Sequence, residues 1–435
     1  MRKREAGLHA LYARDPLAAD AMVFGRRSDG LSRRGFLSGL GAMSAALGAE
    51  IVFHPLMPAG LIPAALADSP TPFVIEGKDG RLLVLNDRPL SAETPPHLLD
   101  DEVTPAERMF VRNNGLPPTA VDLDAWRLTI GGESARQSRT YSIAELRSNF
   151  AAVSLQIAIE CAGNGRSEFL PPASGNQWTL GAVACPSFDG VRLREVLEDC
   201  GVRKDAVYIG FVGADTHLSG EPGKLPISRG VPIAKALEAE TMIAWGMNGK
   251  PLHPHNGHPL RLVIGGWPGS VSGKWLTGIL LRDRIHDGPE MEGPSYRLPC
   301  EPIEPGAAVV AEQMCIIGSM PVKSLITRPQ TGLRHPVDEP LLLGGHAWAG
   351  DREVKEMHWS LDFGQTWQAA RLAAPANRFA WQHWQDEVRF PGRGYYEIWA
   401  RATDSAGVAQ PMVVPGWNPK GYLNNATHRV AVYAV

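Results

Sequence analysis

A mixed α+β domain followed by an all-β sandwich is the architecture this chain predicts, and three observations carry that reading. Its 435 residues exceed what one ordinary core accommodates. With 36 Pro, 46 Gly and only short apolar runs, it favours strands and loops over a helical bundle. From about Val322 onward the texture changes to strand-like segments at sandwich spacing. Charge is nearly balanced, and no basic stripe is interleaved with aromatic residues, which excludes nucleic acid as a partner.

The first 67 residues read as an export segment. Ser32-Arg33-Arg34-Gly35-Phe36-Leu37 is a twin-arginine sequence of the kind read by the bacterial Tat machinery. A small-residue apolar stretch runs from Gly39 to Ala49, and Ala65-Leu66-Ala67 supplies a cleavage site. Glu50, Pro55, Pro58 and Pro63 interrupt the segment before about 18 clean apolar residues accumulate, so no stable membrane span is expected. A periplasmic destination follows.

Residues 68–321 form the expected first domain. Phe73 to Pro118 is Pro-rich and reads as irregular; strands are predicted at Trp126 to Ile130, Val207 to Val212 and Arg261 to Ile264. A helix over Ile143 to Asn149 is signalled by Ser142 as N-cap with Glu145 completing a capping box. Leu193, Val196, Leu197 and Cys200 make one apolar helix face, ended by Gly201, which buries Cys200. Residues 322–435 form the expected sandwich. His358-Trp359-Ser360-Leu361, a turn at Asp362-Phe363-Gly364 and Gln365-Thr366-Trp367 read as a hairpin, and Tyr396 to Ala402 and His428 to Tyr433 as further strands.

The most informative run is Ile157-Ala158-Ile159-Glu160-Cys161-Ala162-Gly163-Asn164-Gly165-Arg166-Ser167. One thiol at the end of an apolar strand suits a soft metal, glycines let main chain close in, and Arg166 adds a permanent cation. An anion-processing redox centre is the chemistry this implies. The cysteines are Cys161, Cys185, Cys200, Cys300 and Cys315, an odd number that leaves at least one unpaired in an oxidising compartment. Cys300 and Cys315 could pair, though spacing alone does not show it.

Cys161 to Arg166 resembles the Cys-Ala-Gly-Asn-x-Arg signature of the molybdenum sulfite oxidases, and the resemblance runs from Asn86 to the C-terminus. It implies that Cys161 ligates the metal of a molybdenum–molybdopterin cofactor. Phe110-Val111-Arg112-Asn113-Asn114 matches a Phe-x-Arg-Asn-His cofactor segment, with Asn114 in place of the histidine; Arg112 and Arg166 would make a positive pocket for sulfite or a related sulfur oxyanion. Gln177-Trp178-Thr179-Leu180-Gly181-Ala182 resembles a family segment, but the lysine that animal members carry just before it has no counterpart in Ala173-Ser174-Gly175. Asp215 matches a cofactor-contact aspartate.

Met247-Asn248-Gly249-Lys250-Pro251-Leu252 and Asn256-Gly257-His258-Pro259-Leu260-Arg261 match a further block, where Asn256 replaces a histidine and Arg261 suits a pterin phosphate. Ser272-Gly273-Lys274-Trp275 completes the expected cofactor set. Tyr296 falls where the family has a tyrosine beside the metal oxygen, and Arg429 matches an arginine near the substrate pocket and dimer contact.

The resemblance implies a sulfite-oxidase-like α+β molybdopterin domain followed by an immunoglobulin-like β-sandwich that in relatives forms dimers, so a homodimer is expected. It also implies oxidation of sulfite to sulfate. No Cys-x-x-Cys-His haem motif is present, so the electrons should pass to an external acceptor such as a c-type cytochrome. The rivals are a sulfane dehydrogenase subunit of a thiosulfate-oxidising complex and a non-catalytic binding protein on the same scaffold.

Other motifs fail on chemistry. His253, His255 and His258 are separated by prolines and lack a completing carboxylate or thiolate for a metal. Gly265 to Trp275 has Pro268 and Trp275 where a nucleotide-binding loop needs Gly and Ser or Thr.

Overall fold

A computed structural model describes residues 74–435; the expected export leader lies outside the described residues. The capping box forms as its spacing requires: Glu145 N–H donates to Ser142 Oγ while the Glu145 carboxylate accepts from Ser142 N–H, opening helix Ile143–Asn149. Helix Leu193–Cys200 buries Leu193, Val196, Leu197 and Cys200 and ends at Gly201.

These helices pack on two five-stranded sheets. The first runs Gly230–Pro232, Tyr208–Gly213, Leu276–Arg282, Arg127–Gly131, Arg139–Ser142. All its pairings are antiparallel except Leu276–Arg282 beside Arg127–Gly131, where Gly278 faces Thr129. In the second, Met242–Met247 pairs with Ser187–Arg192, Lys250–Pro251 and Arg261–Val263, and Ala152–Gln156 lies beyond Ser187–Arg192. One core joins Leu128, Ile130, Ile209, Phe211, Leu276 and Ile279 with the helix faces.

Two departures from the sequence reading occur. The Pro-rich stretch after residue 73 is not wholly irregular: Leu83–Asp87, Leu90–Glu93 and Val111–Arg112 form a three-stranded antiparallel sheet. Its alternation is masked because all of Leu90–Glu93 is buried, including Ser91 and Glu93. The hairpin after Val354–Ser360 is real, but its return strand is Gln368–Ala369, later than expected. Asp362 extends the turn by accepting from Thr366 N–H, from Thr366 Oγ1–H and from Ser360 Oγ–H.

Beyond residue 322, a four-stranded sheet (Lys323–Arg328, Leu341–Trp348, Gln382–Val388, Arg371–Leu372) faces a five-stranded one (Leu333–His335, His428–Ala434, Gly394–Asp404, Val354–Ser360, Gln368–Ala369). Leu343, Ala347, Trp384 and Val388 pack against Ile398, Ala400, Val430 and Val432, the alternate positions of their strands. Among the described residues no helix is long and apolar enough to cross a membrane.

Candidate active site

Strand Ile159–Glu160 pairs with Val183–Ala184 and delivers the chain into a tight turn. Cys161 N–H donates to Ala182 O at 2.9 Å, and Asn164 N–H closes the turn on Cys161 O at 2.9 Å. Gly165 follows at φ 92°, a left-handed conformation that a Cβ would strain, and that Cβ would also lie 2.8 Å from Asn424 Nδ2. A Cβ on Gly163 would lie 2.3 Å from Arg166 Nη2. The glycines therefore make room for Arg166 and Asn424.

Cys161 lines two cavities at once, as do Arg112 and Tyr296. Cys300 and Cys315 form a disulfide, while Cys161, Cys185 and Cys200 are free. Burial pushes the Cys185 thiol up to about 12 and raises that of Cys200, which keeps both protonated and poor as ligands.

The outer cavity is open to solvent, and the free space in and before it is about 830 Å³. Arg166, 6% exposed, lines it while donating from Nε to Lys420 O at 2.5 Å and from Nη1 to Asn176 O at 2.7 Å. Its guanidinium lies 5.3 Å from the Tyr422 ring; Tyr422 stacks on Tyr296 at 5.5 Å, and the buried Arg229 guanidinium lies 4.6 Å from Tyr296. Two cations thus cap a pair of stacked phenols. Burial raises the Tyr422 phenol above its ordinary range, keeping it protonated. The sandwich domain supplies this wall: Lys420 and Tyr422 precede its last strand, Leu423 N–H donates to Ala162 O at 2.8 Å, and Asn424 Nδ2–H donates to Gly165 O at 2.9 Å.

The inner cavity, with about 670 Å³ of free space counted out to open solvent, is lined by Arg112, Arg261 and Lys274, with Asp215 as its carboxylate. Lys274 Nζ donates to Asn113 Oδ1 and to His255 O; Arg261 Nη1 donates to Asn256 O at 3.0 Å, and Asn256 Nδ2 to Phe110 O at 3.0 Å. Lys78 Nζ, from the first turn of the described chain, donates to Asn256 Oδ1 and to Met109 O.

Burial, aided by neighbouring Arg261, lowers Lys78 to about 7 and Lys274 well below its usual value; burial alone lowers Arg261 to about 10. Burial raises Asp215 to about 6 against the opposing pull of Lys274. Arg261 Nε is buried with no partner among the described residues. Arg112, Arg261 and Lys274 around one weak acid, with Lys78 behind Asn256 and an orphaned donor on Arg261, make an environment built to receive an anion.

Of the sequence-predicted residues, Phe110, Arg112, Asn114, Cys161, Asp215, Asn256, Arg261, Ser272, Gly273, Lys274 and Tyr296 meet at the inner cavity, and Arg166 joins Arg112, Cys161 and Tyr296 at the outer one. Ser272 Oγ accepts from Ile264 N–H at 3.0 Å and so also braces the loop. Three residues do not line either cavity. Val111 alternates away from Phe110 and Arg112 into a small core with Leu90 and Ala92. Asn113 acts behind Lys274. Arg429 is a correction: Val430, Val432 and Ala434 take the inward positions of its strand, leaving Arg429 exposed, 5.7 Å from the Trp399 ring.

The sequence reading missed Lys420, Lys78 and Arg229. Lys420 stands in the run Gly416-Trp417-Asn418-Pro419-Lys420-Gly421, whose turn residues mark a loop but not where it goes.

Residues 114–290 match the family described as oxidoreductase molybdopterin binding domain, and residues 314–435 the Mo-co oxidoreductase dimerisation domain. The sulfite oxidase of Gallus gallus is 35% identical over 370 residues, covering 80% of this chain and 77% of that protein. The chain belongs to the molybdenum sulfite oxidase family. The mitochondrial sulfite oxidase of Homo sapiens is 33% identical, and this chain spans 66% of its length; a nitrate reductase [NAD(P)H] of Hordeum vulgare is 30% identical, spanned to 41%. The crystal structure of the sulfane dehydrogenase SoxCD from Paracoccus pantotrophus shares the fold, with TM-score 0.65 at 24% identity, covering 87% of this chain and 92% of that one. This chain is accordingly a molybdenum oxidoreductase with a molybdopterin cofactor, and the cation-lined inner cavity fits that anionic group.

Proposed function

We propose that this chain oxidises sulfite to sulfate at molybdenum ligated by Cys161 and passes the electrons to an external acceptor, a c-type cytochrome. The observation that carries the reading is Cys161 at the junction of two cavities, the inner rich in buried cations and the outer bounded by Arg112, Arg166 and Lys420. Sulfite and water give sulfate, two protons and two electrons. The bound cofactor supplies the redox and oxygen-transfer chemistry. Arg112, Arg166 and Lys420 draw the anion in and hold its oxygens. Tyr296, common to both cavities, donates its phenolic O–H to substrate or product. Arg261 and Lys274 would hold the pterin phosphate, with Asn113 orienting Lys274, Asn256 accepting from Arg261 and Lys78 fixing Asn256 from behind.

Residues 1–67 fit the Tat leader, 68–321 the catalytic domain and 322–435 an immunoglobulin-like dimerisation sandwich, which makes the mature protein a periplasmic homodimer. The match of residues 314–435 to a dimerisation domain supports the last point.

A second reading, oxidation of sulfur carried on a protein, is favoured by the fold shared with the sulfane dehydrogenase SoxCD. The test is turnover by the purified, molybdenum-loaded protein with cytochrome c as acceptor. Saturable oxidation of free sulfite supports the first reading; turnover confined to a persulfide-bearing carrier protein supports the second.

A further inference from the structure

Glu160, the residue before Cys161, is 4% exposed and faces away from the cavities. Its carboxylate accepts three hydrogen bonds. Lys323 Nζ and Asn164 Nδ2 each reach Oε1 at 2.9 Å, and Trp348 Nε1 reaches Oε2 at 2.7 Å. Lys323, 3% exposed, also donates to Asn164 O at 3.0 Å, and Asn164 Oδ1 accepts from Ala182 N–H at 3.0 Å. Lys323 and Trp348 belong to the four-stranded sheet of the sandwich; Glu160, Asn164 and Ala182 belong to the cysteine turn and the strand segment beside it.

We infer that the sandwich positions the cysteine sulfur through this buried clamp, with Glu160, Lys323 and Trp348 as positioning residues for the proposed metal ligand. Consecutive residues of an extended segment point to opposite sides, so Glu160 reaches back into the sandwich while Cys161 opens onto the cavities. Fixing one carboxylate by three donors, one of them an ammonium, fixes the peptide that carries the sulfur. Asn164 then locks the far side of the same turn. Removing either charge leaves the other buried and uncompensated, which displaces the turn; a neutral amide at both positions removes the charges and keeps a hydrogen bond.

The test uses the full chain expressed with cofactor and four variants: Glu160→Gln, Lys323→Gln, both together, and Trp348→Phe, which removes one donor and keeps most of the packing. Molybdenum per folded chain, retention of metal during dialysis, and kcat and KM for sulfite are measured. Each single charge variant is expected to lose metal faster and to lower kcat by about tenfold or more with KM changed less than about threefold, because sub-ångström misplacement acts on reactivity more than on anion capture. The double variant should recover most of both losses, and Trp348→Phe should show a smaller loss of the same kind. Unchanged metal retention and kcat in folded Trp348→Phe and in both single variants would overturn the inference, as would a double variant no better than the worse single. The turnover arm rests on the sulfite reading above, whereas metal retention does not. Normal metal loading without sulfite turnover in the unsubstituted protein would therefore count against that reading and leave the retention comparison to decide this one.

Discussion

Replacing Arg166 by glutamine and by lysine separates two jobs that one guanidinium performs. Its Nε and Nη1 hold the carbonyls of Lys420 and Asn176 at 2.5 and 2.7 Å, tying the sandwich loop to the cysteine turn. A hydrogen bond from a charged donor contributes about 1.5–3 kcal/mol, so losing both costs roughly 3–6 kcal/mol before the loops relax. The second job is charge. A fixed cation about 4–8 Å from an anion at an effective dielectric of about 20 contributes roughly 2–4 kcal/mol, which corresponds to a rise in KM of about 30-fold or more when it is neutralised.

Arg166→Gln should therefore raise KM for sulfite by at least that factor and lower the melting temperature of the metal-free chain by roughly 5 °C or more. Arg166→Lys restores the charge without the planar fork; it should recover much of the KM and little of the stability. Steady-state kinetics at fixed ionic strength and thermal unfolding of the metal-free protein read the two jobs independently. If Arg166→Gln keeps the KM of the unsubstituted enzyme at full molybdenum loading, the guanidinium is a brace alone and the charge argument is wrong.

Asp215, raised from 3.8 to about 6 chiefly by burial, makes a pH prediction for the cofactor-free protein. A carboxyl that binds its proton more tightly when folded contributes stability that is fully present below its unfolded pKa and lost as pH rises through its folded one. Urea unfolding should thus show roughly 3 kcal/mol lost between about pH 4 and pH 7 from this group, and Asp215→Asn should flatten that slope; equal slopes for the two proteins would contradict it. Tyr296→Phe retains the ring between Tyr422 and Arg229, so melting should change little while kcat falls; unchanged kcat would remove the phenol from the reaction. Arg33→Lys with Arg34→Lys should strand folded, uncleaved protein in the cytoplasm, since lysine lacks the planar donors of both guanidinium groups; cleaved, active protein in the periplasm would mean the leader is not a Tat signal.

The parts of the site legible in the sequence are those whose chemistry is local. Cys161 to Arg166 is one continuous turn, and the segment Phe110 to Asn114, with Arg261 and Lys274, sits in short contiguous runs legible through their resemblance to family motifs. The capping box at Ser142 and Glu145 needed three residues of context. What escaped is set by contacts between distant segments. Lys420 reaches the outer cavity because its loop hydrogen-bonds to the cysteine turn, and no periodicity predicts where a Gly- and Pro-rich loop lands. Glu160 and Lys323 lie 163 residues apart, and each alone reads as an ordinary charged residue beside an apolar run. Arg429 misled for the opposite reason: its strand was foreseen, but the face it presents depends on which alternate set, Val430 and Val432 or their neighbours, meets the opposing sheet.

The central claim is that Cys161, alone among the buried free thiols, holds the catalytic molybdenum. Its most direct measurement is molybdenum content and sulfite turnover, taken together, on purified unsubstituted protein and on Cys161→Ser, where a hydroxyl is a harder and poorer donor than a thiolate. About one molybdenum per unsubstituted chain with sulfite oxidation is expected, and no turnover above background in a folded Cys161→Ser whose metal is depleted or inert. Sulfite oxidation by Cys161→Ser at more than a few per cent of the unsubstituted rate would contradict it.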